Sequence, residues 1–484
     1  MEYENHIITP NLLTIRSNIY FDRILMCMKM PKVPPTLNEV LQDERLSLKD
    51  MATEENMRLA VDLNSKYLHW DDVRRRDTGD TDPKVIWALM SILRQNNQTN
   101  MNIGGISTRF SLTADLQRSM HEIDVRSSSG FAAKDISDPK AAKAYAVSSL
   151  MEESIASSQI EGAVTTTRMA KTMLREGRMP KTESEKMIYN NYRAMQFIKE
   201  NKEKKLTPDM ILELHTIITK GTLDDEKYEG RFRETDDIVV QDKLTGDVFH
   251  EPPKAKDLKR MMSSLCSYAN SGEPFVHPVI KGIVIHFMTA YIHPFVDGNG
   301  RLARSLLYWY VLKEGYWIFE YLAVSRIIKE HRGDYDRAYV LSETDGNDIT
   351  YFIKYNLDCI EKALEAFIGY LEKKISERKE SDMSIHGNPD LNIRQKMILK
   401  DATRTGEPFS TQEVRSTYQV SYQTAANDIR KLLEMRLIKE HGKVWRKVLY
   451  IIADRSKEPI KGGSGSRPDP KHVKGLDKWA DHEP

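Results

Sequence analysis

The chain has 484 residues, 40% of them hydrophobic and 30% charged, so it can bury a large core and should divide into several domains. Its 72 Lys and Arg against 71 Asp and Glu leave a formal charge of +1, which argues against binding nucleic acid or membranes through bulk charge. The three cysteines, Cys27, Cys266 and Cys359, are too few and too distant for a disulfide framework or a four-cysteine zinc site. No apolar run reaches the ~18 residues of a spanning helix, and no secretory signal is evident. We therefore expect a cytoplasmic protein.

The first part of the chain shows helical patterns broken by loops. Residues 1–105 are predicted to be an N-terminal helical region, in which the apolar stretch 85–93 is a helix. Residues 94–105 are polar and end in Gly104 and Gly105, so this stretch is predicted to be a loop.

Residues 106–372 are predicted to form a mostly helical domain. One helix begins with Thr207 as its N-cap and Pro208 at its first position, and it can end at Gly221. Residues 230–253 differ, because two short β-prone stretches flank Lys-Leu-Thr-Gly, a pattern typical of a hairpin.

The C-terminal part suggests a second, smaller domain. A charged linker is predicted at 373–390, a winged helix at 391–456 and a disordered Gly/Ser/Pro-rich tail at 457–484. Within the small domain, a capping box at Ser410 opens one helix, Ser421 can cap the next, and a hairpin follows. That order of helix, turn, helix and wing is typical of DNA-binding winged helices.

The second of these helices carries the residues that would meet DNA. Residues 391–460 hold 14 Lys and Arg against 8 Asp and Glu, a modest local positive charge. DNA binding and protein interaction both fit this domain, and the sequence leaves the two open. The candidate DNA contacts are Tyr422, Gln423, Asn427 and Arg430.

The most informative segment is 283–315, where an apolar stretch ends at His293, a Gly-rich turn follows and a second apolar helix begins. The free N–H groups that open such a helix bind anions, and Arg301 and Arg304 share one face at that end. Asp297 offers a hard oxygen for Mg²⁺, and His293 can act as a base near neutral pH. This combination favours phosphoryl or nucleotidyl transfer.

The twelve residues from His293 to Arg304, HPFVDGNGRLAR, resemble the Fic motif His-x-Phe-x-Asp/Glu-Gly-Asn-Gly-Arg-x-x-Arg at every defined position. The resemblance covers about residues 140–370 and implies a mainly α-helical fold with a small β-hairpin flap. It also implies transfer of AMP from ATP to a Ser, Thr or Tyr hydroxyl of a protein, with Mg²⁺ as the metal.

The resemblance implies a role for each residue of the motif. His293 would be the base, Phe295 would hold the loop from within the core, and Asp297 would ligate Mg²⁺. The residues implied to bind nucleotide or phosphate are Gly298, Asn299, Gly300, Arg301 and Arg304.

A second motif lies upstream, in a helix predicted at about 148–165. Residues 157–162, SSQIEG, resemble the inhibitory motif of the family, in which Glu161 would pair with Arg304 and block the γ-phosphate. Ser157 belongs to the same motif. Family members with this Glu can also remove AMP. An ordinary helix end would carry the same letters, and it is the Fic motif downstream that favours inhibition.

Two further regions carry weaker implications. The segment 230–253 resembles the flap, whose open edge could hold a target strand, with Val239 and Val240 as contacts. The segment 331–348 resembles the region of adenine contact, with Tyr335 and Tyr339 as candidates.

The sequence thus predicts an autoinhibited protein adenylyltransferase that uses ATP and Mg²⁺, with a protein target that can include the chain itself, and with a homodimer as one candidate assembly. One alternative is a DNA-binding regulator whose Fic site senses nucleotide. Another is transfer of UMP or phosphocholine, because the motif defines the phosphates better than what they carry.

Overall fold

The computed structural model describes residues 30–43, 46, 52–127, 139–241, 248–386, 389–444 and 447–453. The described residues are mostly helical with few short strands, which confirms the predicted mainly α fold class. The chain divides between Lys374 and Ile375 into two compact units. The predicted tail 457–484 and Cys27 lie outside the described residues.

The described part of the chain begins with a small helical cluster that has its own core. Asp82 caps its longest helix and Pro83 stands at the first position, where a missing N–H costs nothing. Trp70, Trp87 and Met90 are among the side chains that fill this core. The described helices of this cluster are α1 (Leu37–Gln42), α2 (Glu54–Ser65), α3 (Trp70–Val73) and α4 (Pro83–Gln95).

The prediction that residues 94–105 form a loop is wrong. Helix α4 continues to Gln95, and strand β1 (Gln98–Ile103) pairs antiparallel with β2 (Ile106–Ser111). Gly104 and Gly105 both have positive φ and form the two-residue turn between the strands. The polar side chains of β1 lie on an exposed face and hide the strand pattern, so the predicted boundary at 105 falls inside a hairpin.

The first unit continues as a helical bundle. The prediction of a helix after Thr207 is confirmed, with the Thr207 side chain capping it. The described helices that begin in this part are α5 (Ala114–Ser127), α6 (Pro139–Ile160), α7 (Thr167–Glu176), α8 (Glu183–Glu200), α9 (Pro208–Thr219), α10 (Leu258–Asn270), α11 (Pro278–Ile292), α12 (Asn299–Lys313), α13 (Val324–Glu330), α14 (Arg332–Thr344) and α15 (Thr350–His386).

Helices α11 and α12 pack against each other at the centre of the first unit. Residues on every side of α11 are buried, as expected for a helix that is apolar all round. The largest hydrophobic cluster of the described residues contains both helices. The polar turn that connects them is therefore held between two buried, closely packed helices.

The flap is a short hairpin between α9 and α10. Strand β3 (Val240–Gln241) pairs antiparallel with β4 (Val248–His250), with an irregularity in register between them. An isolated two-stranded hairpin has little stability of its own, so contacts with the rest of the unit help to hold the flap in place.

Beyond the end of α15, the described residues of the second unit form three helices and a small sheet. Its elements are α16 (Ile393–Thr405), β5 (Phe409–Ser410), α17 (Thr411–Tyr418), α18 (Tyr422–Glu434), β6 (Ile438–Val444) and β7 (Lys447–Ile452). The strands lie in the order β5-β7-β6 and all pairs are antiparallel. The capping box at Ser410 and the cap at Ser421 form as predicted. Assignment of this unit to the winged-helix class stays a prediction.

Helix α15 continues to His386, so much of the predicted linker 373–390 is helical.

No helix within the described ranges is both long and apolar enough to cross a membrane.

Candidate active site

The site begins where α11 ends. His293 is the C-cap of that helix and has a φ of 47°, a left-handed conformation that costs a non-glycine residue free energy. Its Nδ1 lies 3.3 Å from the carbonyl oxygen of Ala290. Because a carbonyl can only accept, Nδ1 carries the ring hydrogen, and the lone pair of Nε2 is left available to a substrate proton. Burial, followed by the nearby His250, lowers the pKa of His293 to about 4.

The loop after His293 is held from beneath by its own asparagine. The Asn299 side chain accepts from the Phe295 N–H at 3.0 Å and donates to the Phe295 carbonyl at 2.8 Å. Asn299 is buried and its amide is committed to the loop, so any phosphate contact from this residue would use its backbone. Phe295 is fully buried, as the resemblance implied.

His215 is a site residue that sequence reasoning missed. Its ring stacks on Phe295 with centroids 3.6 Å apart, its Nδ1 accepts from the Gly230 N–H at 3.0 Å, and its Nε2 donates to the Asp297 carbonyl at 2.9 Å. Burial lowers the pKa of His215 to about 4, which keeps the neutral tautomer that these two bonds need. One histidine on an amphipathic helix gives no signal of this role in a single sequence.

The glycines of the motif let neighbouring side chains approach the backbone of the turn closely. Gly298 has a φ of 83°, and a Cβ there would lie 2.8 Å from the Thr219 side chain. A Cβ on Gly300 would lie 2.2 Å from Oε1 of Glu161. Glu161 therefore lies directly against the turn that opens α12, where N–H groups without helical partners favour an anion.

Arg301 brings an incompletely paired charge into this site. Its side chain is buried, its Nη1 donates to the Ile218 carbonyl at 3.1 Å, and its Nη2 lies 3.5 Å from Asp297 Oδ2. Its Nε and Nη2 have no hydrogen-bond partner among the described residues. A buried guanidinium in this state is costly without an anion, so Arg301 remains a candidate phosphate ligand.

Arg304 is instead held by the helix that precedes Glu161. Its Nε donates to Ser157 Oγ at 2.9 Å, and its Nη2 donates to the Ser157 carbonyl at 2.9 Å and to Glu161 Oε1 at 2.8 Å. Burial would lower the pKa of Arg304, but the Glu161 carboxylate raises it above its ordinary value. The predicted pair of Glu161 with Arg304 is thus present in the structure, as a charged hydrogen bond between largely buried groups.

Glu161 is presented by the end of α6. Helix α6 stops at Ile160, and Gly162 has a φ of 100°, the left-handed conformation that ends a helix at glycine. Burial alone would raise the pKa of Glu161, but the guanidiniums of Arg304 and Arg332 outweigh it and hold the pKa below its ordinary value. Arg332 also donates to the Ile160 carbonyl at 3.3 Å, so it supports the same helix end.

Asp297 is the candidate ligand for Mg²⁺. Its Oδ1 accepts from the Gly298 N–H at 2.6 Å, and its side chain is 24% exposed. Within the described ranges no three His, Cys, Asp or Glu residues form a metal cluster. One carboxylate beside a phosphate site fits Mg²⁺, which commonly takes one or two carboxylates and completes its shell with phosphate oxygens and water.

Two further residues without a predicted role hold the flap in place. Arg233 is buried, its Nε donates to the His293 carbonyl at 2.9 Å, and its Nη2 donates to the carbonyl of Pro253 at the far end of the flap. His250 lies 2.7 Å from both Glu343 and the Tyr291 carbonyl. The predicted target contact Val239 is 39% exposed and its neighbour Val240 is half-buried in β3.

The two tyrosines predicted to contact adenine belong mainly to the core. Tyr335 is 4% exposed and its hydroxyl lies 2.9 Å from His286 Nε2. Tyr339 is half-buried and packs on Phe352, with ring centroids 4.2 Å apart. Burial of its ring leaves Tyr335 unable to stack a base in this conformation, so the part of the prediction that concerns Tyr335 is not supported here.

In the second unit, the candidate DNA contacts lie at the surface. Tyr422, Gln423, Asn427 and Arg430 are all exposed on α18. Gln423, Asn427 and Arg430 recur at helical spacing, so they share one face.

Comparison with known proteins gives one family for the centre of the chain. The Fic/DOC family model matches residues 205–311. A protein adenylyltransferase Fic from Nematostella vectensis is 29% identical over 168 residues, which are 34% of this chain and 35% of that protein. Another from Aedes aegypti is 32% identical over 170 residues, which are 35% of this chain and 30% of that protein. The match therefore spans about a third of the length of these curated relatives.

Two solved structures also overlap with the chain. A Fic family protein from Desulfovibrio desulfuricans G20 gives a TM-score of 0.47 at 19% identity, over 74% of this chain and 98% of that one. A segment of Fic-1 from C. elegans gives a TM-score of 0.45 at 17% identity, over 68% of this chain and 88% of that one.

Proposed function

We propose that this chain, which carries a Fic domain, transfers AMP from ATP to a Ser, Thr or Tyr hydroxyl of a protein and is restrained by its own Glu161. The observation that carries the proposal is the pairing of an available base with an anion site. The Nε2 of His293 has its lone pair free, and the turn that opens α12 faces partly unsatisfied guanidiniums. Relatives named protein adenylyltransferase, at about 30% identity, support AMP as the transferred group.

In the proposed reaction, the oxygen of the target hydroxyl attacks the α-phosphorus of ATP while His293 Nε2 takes the proton of that hydroxyl. The bond from that phosphorus to the bridging oxygen breaks, and pyrophosphate leaves. The N–H groups at the start of α12, with Arg301, would stabilise the charge that develops on the phosphate oxygens. When bound, Mg²⁺ would neutralise phosphate charge, and Asp297 is the residue that would hold it.

The proposed restraint follows from competition for one guanidinium. Glu161 occupies Arg304 Nη2 and crowds Gly300, so an ATP phosphate that needs Arg304 must first displace a carboxylate. The helix carrying Glu161 belongs to the same chain, which makes the restraint internal. The Glu161 pair also leaves Arg304 Nη1 without a hydrogen bond among the described residues, ready for an anion once Glu161 leaves.

Intact-mass spectrometry tests the proposal. The wild type, Glu161→Gly and Glu161→Gly/His293→Ala would be incubated with Mg²⁺ and, separately, with ATP, UTP and CDP-choline. We expect an AMP-sized increment on Glu161→Gly with ATP, little on the wild type and none on the double variant. An increment with only UTP or only CDP-choline would show that the transferred group is UMP or phosphocholine rather than AMP. Equal labelling of all three proteins would contradict the roles proposed for Glu161 and His293.

A protein target other than the chain itself requires a separate arm. Each variant would be added to a cell extract with labelled ATP, and the labelled proteins would be identified. Incubating wild type with a purified labelled target would then show whether AMP is also removed in a Glu161-dependent way.

The exposed polar face of α18 favours DNA as a second candidate partner. Full-length protein would be titrated against duplex DNA over a salt series, because phosphate contacts make affinity fall steeply with salt. Salt-dependent binding that is weakened by Arg430→Ala would support DNA contact through α18, and binding unchanged by that variant would exclude this face.

A further inference from the structure

His250 is the last residue of β4, and it joins three elements of the first unit. Its Nε2 lies 2.7 Å from the carbonyl oxygen of Tyr291 on α11. Its Nδ1 lies 2.7 Å from Oε2 of Glu343 on α14. The imidazole is 9% exposed and also packs on the Tyr291 ring, with centroids 4.6 Å apart. The flap is thereby attached at one point to the end of α11 and to α14.

The two bonds fix where the hydrogens of the ring are. A carbonyl oxygen can only accept, so Nε2 carries a hydrogen. A hydrogen must also lie between Nδ1 and Glu343, on the ring or on the carboxyl group. An imidazolium facing a carboxylate gives the stronger, charge-assisted bond.

The bond to Tyr291 completes the helix that leads to His293. The last carbonyls of a helix lack partners within it. Here the Thr289 carbonyl accepts from the His293 N–H, the Ala290 carbonyl faces His293 Nδ1, and the Tyr291 carbonyl accepts from His250. A donor at a helix C-terminus also complements the helix dipole. The flap thus supplies one of the bonds that complete the turn immediately before His293.

We propose that His250 is a positioning residue. Through its bonds to Tyr291 and Glu343, it sets the distance between His293 and the open edge of the flap, where a target strand would bind. The inference rests on the proposed AMP transfer and adds a residue that determines how the target hydroxyl reaches the base. An isolated two-stranded hairpin is only marginally stable in water, so the flap depends on side chains that join it to the rest of the unit. Arg233 holds the two ends of the flap, whereas His250 holds its second strand.

The electrostatics of the surrounding groups agree with this placement. His250 helps to lower the pKa of His293, whereas Glu161 raises it to a smaller degree. Arg233 also faces His293 and lowers its pKa. The Tyr291 ring is partly buried, which raises its phenol pKa and keeps it neutral, and the acidic side chain that faces His250 is that of Glu343.

The first arm of the test measures transfer in the Glu161→Gly background. Adding His250→Ala should lower the initial labelling rate by about 10- to 100-fold, the order expected when reactants are misplaced by about 1 Å. The KM for ATP should stay within twofold, because His250 contacts neither the motif turn nor its arginines. His250→Gln can still donate to the Tyr291 carbonyl and should recover most of the rate, whereas His250→Asn is too short and should not.

His277→Ala is the matched control. His277 lies at the other end of α11, where it also faces a carboxylate, Asp124, at 3.2 Å. This variant should label at the rate of the background. A His250→Ala rate within twofold of the background, or an equal rise in the KM for ATP, would overturn the inference.

The second arm is independent of transfer. Hydrogen exchange of the full-length wild type and of His250→Ala would be compared at 248–250 and at the β1–β2 hairpin, 98–111. We expect faster exchange at 248–250 and around 291–295, with no change in the reference hairpin. Unchanged exchange would overturn the inference. If the Glu161→Gly background labels neither itself nor any protein of the cell extract, the proposed function fails, and this arm alone decides whether His250 positions the flap.

Discussion

Ser157 and Ser158 are adjacent on α6 and both are buried, yet only one should affect the proposed inhibition. Ser157 Oγ accepts from Arg304 Nε, whereas Ser158 Oγ donates to the carbonyls of Ser154 and Met187. We predict that Ser157→Ala loosens α6 from Arg304 and raises the rate of AMP transfer, and that Ser158→Ala does not raise it.

The contact network sets the size of the effect. A hydrogen bond to a charged group contributes about 1.5–3 kcal/mol, and 1.4 kcal/mol corresponds to about a tenfold change in an equilibrium. Two bonds to Arg304 Nη2 remain in the variant, from the Ser157 carbonyl and from Glu161. We therefore expect the lower end of the range, a gain of about tenfold, smaller than the gain from Glu161→Gly, which removes the competing carboxylate itself.

Initial rates of AMP incorporation from labelled ATP would be measured for wild type, both serine variants, Glu161→Gly and Ser157→Ala/Glu161→Gly. In the last variant the serine change should add nothing, because Glu161 is already absent. Equal rates for Ser157→Ala and Ser158→Ala would refute the reasoning. A lower rate for Ser157→Ala in both backgrounds would show instead that Ser157 aligns Arg304 for phosphate.

Two other predictions concern buried side chains that can carry a charge, His293 and Arg94. The base form of His293 is the neutral ring, and because its pKa is lowered to about 4 that form persists as the pH falls until about 4. The kcat/KM of the Glu161→Gly variant should therefore be flat between about pH 5.5 and 8, and an acid limb near the ordinary histidine value would contradict the assigned environment. Arg94 is buried and its Nη1 lies 3.5 Å from Asp345 Oδ2, so Arg94→Met should destabilise the first unit by about 3–5 kcal/mol. Scanning calorimetry should show a lower Tm for this variant and almost none of that loss for Arg58→Met, whose ion pair is exposed.

The sequence alone predicts the parts of the site that lie close together along the chain. The span from His293 to Arg304 is twelve residues long, and glycines, a helix start and two arginines a turn apart have local consequences. The caps at Thr207, Ser410 and Ser421 are local in the same way, since each side chain accepts from a backbone N–H three residues later in the chain. The hairpin at 98–111 was missed because its exposed strand face is polar and resembles a loop.

Contacts between segments that are distant in sequence could not be predicted, because the residues near each partner in the chain do not determine them. His215 stacks on Phe295 across eighty positions of sequence, and His250 bonds to Tyr291 and Glu343, yet each is an isolated histidine to a reader of the chain. Burial of Tyr335 likewise depends on which helices surround α14. The sequence determined the chemistry available at the motif and the local turns that display it. Only the packing of α6, the flap and α9 around α11 decided which charges are paired, which nitrogen stays free and which ring is buried, because those depend on distance in space rather than along the chain.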